Sequence, residues 1–132
     1  MRRLIGTIAS IVGSFQTLSA REMKKIGIRA VLFQEADSWC AQCLEHDIAA
    51  EASTLEALKT ELEQVLAVQA ELSLERGQEP YSSLPRAPAK YFAMYEALER
   101  ANSVDDAHPI SLDADVSACI MARFAYQHSH AV

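Results

Sequence analysis

Two neighbouring stretches early in the chain alternate between apolar and polar residues, as strands with two different faces do. The first runs over Lys25–Gln34, and both of its faces are partly apolar, which predicts a central strand covered on both sides. The residues on one face are Ile26, Ile28, Ala30 and Leu32, and those on the other are Arg29, Val31 and Phe33. The polar turn Glu35–Ser38 leads to a second alternating stretch, Trp39–Glu45. This arrangement predicts an antiparallel hairpin, and Asp47–Ala52 is a candidate third strand.

A long amphipathic helix is predicted next. Ser53 and Glu56 form an S-x-x-E pattern, which predicts a capping box at the helix start. Gly77 follows Arg76 and is typical of the residue just beyond a helix end. Between these limits, apolar residues recur at three- and four-residue spacings, so one side of the helix is predicted to pack in the core. They are Leu55, Leu58, Leu62, Val65, Leu66 and Leu72.

The rest of the chain predicts one more helix and one more strand. A proline-containing loop, Gln78–Ala89, leads to a shorter helix with Pro88 in its first turn. A second loop, Asn102–Pro109, precedes an alternating stretch, Asp115–Gln127, which predicts a strand returning to the sheet. The predicted fold is therefore α+β: a small, mainly antiparallel sheet of three to four strands, one long helix packed on a face, and a second, shorter helix.

Length, charge and cysteine content narrow the function classes. The chain has 132 residues, a length that suits one domain. Its net charge is −6, so we expect no direct nucleic-acid contact, because phosphate-binding surfaces carry clustered Lys and Arg. A basic protein partner is electrostatically easier to bind. Three cysteines give no disulfide framework and suit the cytoplasm. No apolar run reaches the roughly 18 residues that a membrane-spanning helix needs, so no membrane association is expected.

The first 22 residues allow three interpretations. Two arginines, an apolar stretch and the small residues around Ser19 and Ala20 have the outline of a secretory signal, which would make this an exported protein. Alternatively, the segment packs on the domain, or translation begins at Met23. The interruption of the apolar stretch by Gly, Ser and Thr residues favours Met23. Residues 23–132 are then expected to form a single domain.

The cysteine pair Cys40 and Cys43 has the C-x-x-C spacing of zinc and redox sites. On a strand, however, residues three apart point to opposite faces, so the two thiols are predicted to be ordinary sheet residues. Four acidic residues surround the hairpin: Glu35, Asp37, Glu45 and Asp47. Their positions in the turn and beyond the strand end are typical of solvated charges.

The remaining chemistry-bearing residues give no catalytic pattern. His128 and His130 lie near the end of the chain, where a frayed terminus is the usual state. The sequence has no P-loop, no G-x-G-x-x-G and no G-x-S-x-G. We therefore predict a protein that is not an enzyme and that uses no metal and no cofactor.

The segment from Ile28 to Leu66 resembles the HicB-like family, the antitoxin-type proteins of bacterial HicA–HicB systems. The resemblance lies in a strand ending Phe33-Gln34-Glu35, a short turn, an aromatic residue opening the second strand, and Ala41-Gln42-Cys43-Leu44-Glu45 followed by Asp47-Ile48-Ala49-Ala50. A helix start, Thr54-Leu55-Glu56-Ala57-Leu58, completes it. The matched part is about a third of the chain.

This resemblance implies a degraded relative of the ribonuclease-H-like core that binds a small basic RNA-cleaving toxin. The family's DNA-binding tail is missing here, because one helix and one strand follow Gly77. We therefore expect a non-enzymatic protein–protein interaction module, homodimeric, with a toxin-like basic partner. The residues predicted to contact that partner are Phe33, Trp39, Gln42, Glu45, Arg123 and Tyr126, the last two as an edge-strand contact. The alternative function is a divergent metal-dependent nuclease using Asp37, Glu45 and Asp47.

Overall fold

A computed structural model of the protein describes residues 24–112 and 118–128. Five strands and two helices follow one another in these residues. They are β1 (Lys24–Glu35), β2 (Ser38–Cys43), β3 (Ala49–Ala52), α1 (Leu55–Glu75), α2 (Ala89–Arg100), β4 (His108–Ile110) and β5 (Ala118–Gln127).

The strands form one sheet in the order β3-β2-β1-β5-β4, so β1 lies at the centre. β1 pairs with β2 in an antiparallel hairpin, from Ala30 opposite Cys43 to Glu35 opposite Ser38. On its other side, β1 runs parallel to β5. The remaining pairings, β2 with β3 and β4 with β5, are antiparallel. The sheet is thus mainly antiparallel with one parallel pairing at its centre.

Each helix covers one face of the sheet. On the α1 face, residues of α1 and of four strands form the larger core, which contains Ile28, Ala30, Leu32, Ala41, Cys43, Leu58, Leu62, Leu66, Ile120, Ala122 and Phe124. On the opposite side, the α2 face, Val31, Leu44, Tyr95 and Ala125 form a smaller buried cluster. β1 therefore contributes alternate residues to two cores. This confirms the predicted central, doubly covered strand and its two sets of side chains.

The predicted α+β class, the hairpin, both helices and the returning strand are confirmed, with one difference in the sheet. It has five strands, where three to four were predicted. The additional one is β4, which lies partly within the predicted loop Asn102–Pro109. Three residues with a proline at the centre carry no alternation that could reveal a strand, and proline is tolerated here because β4 is an edge strand.

The predicted capping box is wrong. The N-cap of α1 is Thr54, whose Oγ1 accepts a hydrogen bond from the Ala57 backbone N–H at 3.1 Å. Ser53 lies one residue before it, and both residue types can cap a helix, so the sequence pattern did not separate them. At the other end, α1 stops as predicted: Gly77 has φ of 72°, a left-handed conformation that costs glycine little. Pro88 is likewise the N-cap of α2 and not part of its first turn.

Several sequence predictions fall on residues outside the described ranges. They concern the first 22 residues, Asp115–Ser117 at the start of the predicted last strand, and His130. Within residues 24–112 and 118–128, neither helix has the combined length and apolar character needed to cross a bilayer.

Candidate partner-binding site

The strongest candidate surface is the part of the α2 face formed by β1, β2 and β3. α2 packs on β1 and β5 of this face. Beside it, the exposed side chains of the hairpin and of β3 border a groove of about 420 Å³. We call this the hairpin groove. Its lining includes Phe33, Glu35, Cys40, Gln42, Glu51 and Tyr91.

An aromatic pair forms one side of the hairpin groove. The rings of Phe33 on β1 and Tyr91 on α2 are stacked, with centroids 6.1 Å apart and an angle of 28° between their planes. The ammonium group of Lys90 lies 5.0 Å from the centre of the Tyr91 ring. A cation therefore already rests against one ring of the pair, as expected for the negative face of an aromatic system.

Carboxylates form the other side of the hairpin groove. Strand register places Phe33, Cys40 and Glu51 in one row across β1, β2 and β3, which makes the row about 10 Å long at normal strand spacing. Glu35 joins this row, since its Oε1 accepts a weak hydrogen bond from Cys40 Sγ at 3.9 Å. Burial raises the pKa of the Cys40 thiol, and the negative charges of Glu51 and Glu35 raise it further. Two exposed carboxylates thus act on the same point of the groove.

The two cysteines of the C-x-x-C pattern lie on opposite faces, as predicted. Cys40 is half-buried on the α2 face, whereas Cys43 is fully buried in the core under α1. Burial, with smaller contributions from Glu45 and Asp47, raises the pKa of Cys43 to about 12. Neither thiol is activated, because a reactive cysteine needs a lowered pKa.

Gln42 and Trp39, two predicted partner contacts, are largely engaged within the chain. Gln42 is 8% exposed, and its Nε2 donates to Asp47 Oδ1 at 2.8 Å and to the Cys43 carbonyl at 3.1 Å. Trp39 is half-buried against the core on the α1 face. Its ring meets that of His128 edge-on at 6.0 Å. Of the predicted residues on β1 and β2, Phe33 and Gln42 line the hairpin groove, and the half-buried Phe33 is the more accessible of the two.

Glu45 forms an ion pair that the sequence did not reveal. Its carboxylate accepts hydrogen bonds from the Arg29 backbone N–H at 3.0 Å and from Arg29 Nε at 2.5 Å. The guanidinium carbon of Arg29 also lies 5.2 Å from the centre of the Tyr95 ring. These contacts tie the end of the hairpin to β1 and α2.

The predicted edge-strand contact of Arg123 and Tyr126 is wrong in its geometry. β5 lies inside the sheet between β1 and β4, and the two side chains point to opposite faces because they are three residues apart on a strand. Arg123 is exposed on the α2 face. Tyr126 packs on the α1 face and donates its hydroxyl hydrogen to Asp105 Oδ2 at 2.5 Å. Burial, and then this hydrogen bond, raises the pKa of Tyr126.

The three acids of the alternative nuclease hypothesis are not brought together. Asp37 is in the turn at one end of the hairpin, while Glu45 and Asp47 follow the other end of β2, about 20 Å away for a strand of this length. Glu45 is paired with Arg29, and Asp47 accepts from Gln42. Among the residues that the structure describes, no group of three or more His, Cys, Asp or Glu side chains is arranged to hold a metal ion.

Sequence reasoning missed Tyr91 and Glu51 as residues of the groove. Glu51 carried one available signal, since it is a charged residue in the middle of a short, alanine-rich strand. Tyr91 carried none, because its helical spacing is equally typical of a core position.

Comparisons of the chain with known protein families, with curated proteins and with solved structures give no match.

Proposed function

We propose that this protein is a non-enzymatic interaction module of HicB-like type that binds a small basic protein through the hairpin groove. The observation that carries the proposal is the pairing of an aromatic side, Phe33 and Tyr91, with a carboxylate side, Glu35 and Glu51, in one groove. An arginine side chain fits this chemistry, because its guanidinium stacks on aromatic rings and forms charge-assisted hydrogen bonds with carboxylates.

The net charge of the chain supports the same partner class. At −6, the molecule attracts a basic protein over a distance, and the groove then supplies the close contacts. A long helix packed on a mainly antiparallel sheet also agrees with what the HicB resemblance implies. In that family the basic partner is a small RNA-cleaving toxin, and we assign the same role to the partner here.

The groove chemistry is tested first with a defined probe, a hexa-arginine peptide titrated into the full chain by calorimetry. We expect Glu51→Gln to weaken binding about tenfold, which corresponds to about 1.4 kcal/mol. The control is Glu75→Gln at the end of α1, where the same charge is lost at an exposed position remote from the groove. Equal weakening by both variants would mean that net charge alone attracts the peptide, and the groove would be rejected as the site.

The partner itself is tested by parallel purification of the wild-type chain and the two variants from the native host. A small basic protein retained by wild type and Glu75→Gln, but lost with Glu51→Gln, is the expected result. That protein should arrest growth when expressed alone, and co-expression of the wild-type chain should restore growth. A harmless captured protein contradicts the antitoxin role, and full rescue by Glu51→Gln contradicts the hairpin groove as the toxin-binding site. The expected homodimer stays a prediction, which sedimentation equilibrium of the full chain checks.

A further inference from the structure

A second site is indicated by a buried hydroxyl group at the other end of α2. The Tyr95 side chain is 1% exposed, and its Oη has no hydrogen-bond partner among the described residues. Leaving a buried hydroxyl without a partner is unfavourable, and most such groups in native proteins are paired. A bound molecule that accepts a hydrogen bond from Tyr95 would remove this cost.

Tyr95 lines an open cleft of about 320 Å³ between the second half of α2 and the first half of β1, which we call the Tyr95 cleft. This volume is within the range of small-molecule sites. Four charged residues also line it: Arg29, Glu45, Glu99 and Arg123. All four influence the pKa of the Tyr95 hydroxyl, which indicates that this hydroxyl lies near the charged rim.

The hydroxyl is a hydrogen-bond donor at neutral pH. Burial raises the pKa of Tyr95, and the carboxylates of Glu99 and Glu45 act in the same direction. The positive charges of Arg123 and Arg29 oppose them without reversing the shift. The tyrosine therefore keeps its proton and is available to donate a hydrogen bond.

The two arginines of the Tyr95 cleft differ in availability. Arg29 and Arg123 are neighbours in the parallel register of β1 and β5. Arg29 is paired with Glu45, whereas Arg123 is exposed and forms no ion pair within the described part of the chain. An uncommitted guanidinium binds a carboxylate with two parallel hydrogen bonds.

A glycine keeps the cleft open. Gly27 lies beside Met121 in the strand register, and a Cβ added at Gly27 would meet no atom within 4 Å. Glycine weakens a strand interior and often marks a place where another molecule approaches the backbone closely. With Ile28, Met121 and Ala107 also in the lining, the cleft has room for an apolar group.

We propose that the Tyr95 cleft binds a small monocarboxylate. Its carboxylate group contacts the Arg123 guanidinium and accepts the Tyr95 hydroxyl hydrogen, and its apolar body lies over Gly27 and Met121. A monoanion is favoured over a phosphate dianion because Glu45 and Glu99 reduce the positive potential of the cleft. The Tyr95 cleft and the hairpin groove share no lining residue, so this proposal stands independently of the proposed function.

The test is a titration of the full chain with butanoate, in which binding is measured from the ¹H–¹⁵N NMR signal of the Gly27 amide. Butanamide, which has the same shape without the charge, and inorganic phosphate serve as comparison probes. We expect saturable shifts with butanoate and binding at least about tenfold weaker with either comparison probe. An acetylated dialanine with a free carboxylate is a third probe. Its affinity relative to butanoate distinguishes the carboxylate of a small acid from that of a peptide end.

Three variants locate the binding. Arg123→Gln should weaken butanoate binding about tenfold, and Tyr95→Phe about threefold to tenfold. Gly27→Val should abolish it by filling the cleft while leaving the fold intact, since its side chain has space. The matched control for Arg123→Gln is Arg100→Gln, which makes the same change on α2 outside the cleft. Tyr95→Phe should also keep the wild-type melting temperature, because its hydroxyl has no described partner to lose.

The absence of saturable shifts at Gly27 would overturn the proposal. Equal binding of butanamide or phosphate would overturn the carboxylate assignment, and unchanged binding by Arg123→Gln or Gly27→Val would overturn the location. Loss of binding in the Arg100→Gln control to the same extent as in Arg123→Gln would reduce the effect to general electrostatics and reject the site.

Discussion

Replacing Leu62 by alanine tests whether α1 is held by its leucine stripe. Leu62 lies on α1, is fully buried, and belongs to the core on the α1 face. The substitution removes about three methylene equivalents, worth about 2.4 kcal/mol in transfer free energy. A residual cavity of about 50 Å³ would add about 1.2 kcal/mol. We therefore expect Leu62→Ala to lower the free energy of unfolding by about 3–4 kcal/mol.

The control for this prediction makes the same chemical change on the same helix. Leu72 is 37% exposed, so its truncation leaves no closed cavity and should cost less than half as much. Urea unfolding, monitored by Trp39 fluorescence, measures the free energy of unfolding of both variants. The loss expected for Leu62→Ala should also lower its melting temperature by about 10–15 °C for a domain of this size. If the two variants lost equal stability, the assignment of Leu62 to the packed side of α1 would be refuted.

Two further predictions follow from the cap and from the buried thiol. Thr54→Ala should lower the free energy of unfolding by about 1 kcal/mol, because the hydrogen bond from the Ala57 N–H is lost. Ser53→Ala should change it by less than about 0.5 kcal/mol. A larger loss of thermal stability in Ser53→Ala than in Thr54→Ala would support the predicted capping box instead. Because the pKa of Cys43 is raised to about 12 in the fold, the unfolded chain loses its thiol proton first, and stability should fall as pH rises above about 9. In urea titrations between pH 8 and 10, Cys43→Ala should show a smaller alkaline loss than wild type, and an equal loss would contradict this role of Cys43.

The central strand shows how much of the fold could be predicted from sequence. Successive side chains of a strand point to opposite faces, so its pattern predicted which side chains lie together on each face. Apolar residues at both odd and even positions predicted that both faces are covered. The hairpin turn and the end of α1 at Gly77 also depend on signals within a few residues, and both were predicted. The parallel pairing of β1 with β5 was not, since it joins distant segments and no local pattern encodes it.

The candidate sites were harder to predict because they depend on that pairing and on the placement of α2. Arg29 and Arg123 become neighbours through strand register, and Tyr95 reaches them from a helix whose sheet face the sequence did not specify. Two signals were nevertheless present. Arg29 is the one charged residue between Ile26 and Phe33 of β1, and Gly27 is a glycine inside the same strand. Each is typical of a position that serves more than packing.

The central position of β1 has a consequence for how the chain folds during synthesis. β1 is made first among the described strands, yet its parallel partner β5 is made last, about 90 residues later. Until β5 arrives, an apolar strand in the middle of the future sheet has one edge without its partner, a state prone to pairing with other chains. The hairpin and α1 can form early, but the sheet closes only after Gln127 has left the ribosome. A nascent chain stalled before Ala118 is therefore expected to depend on chaperones.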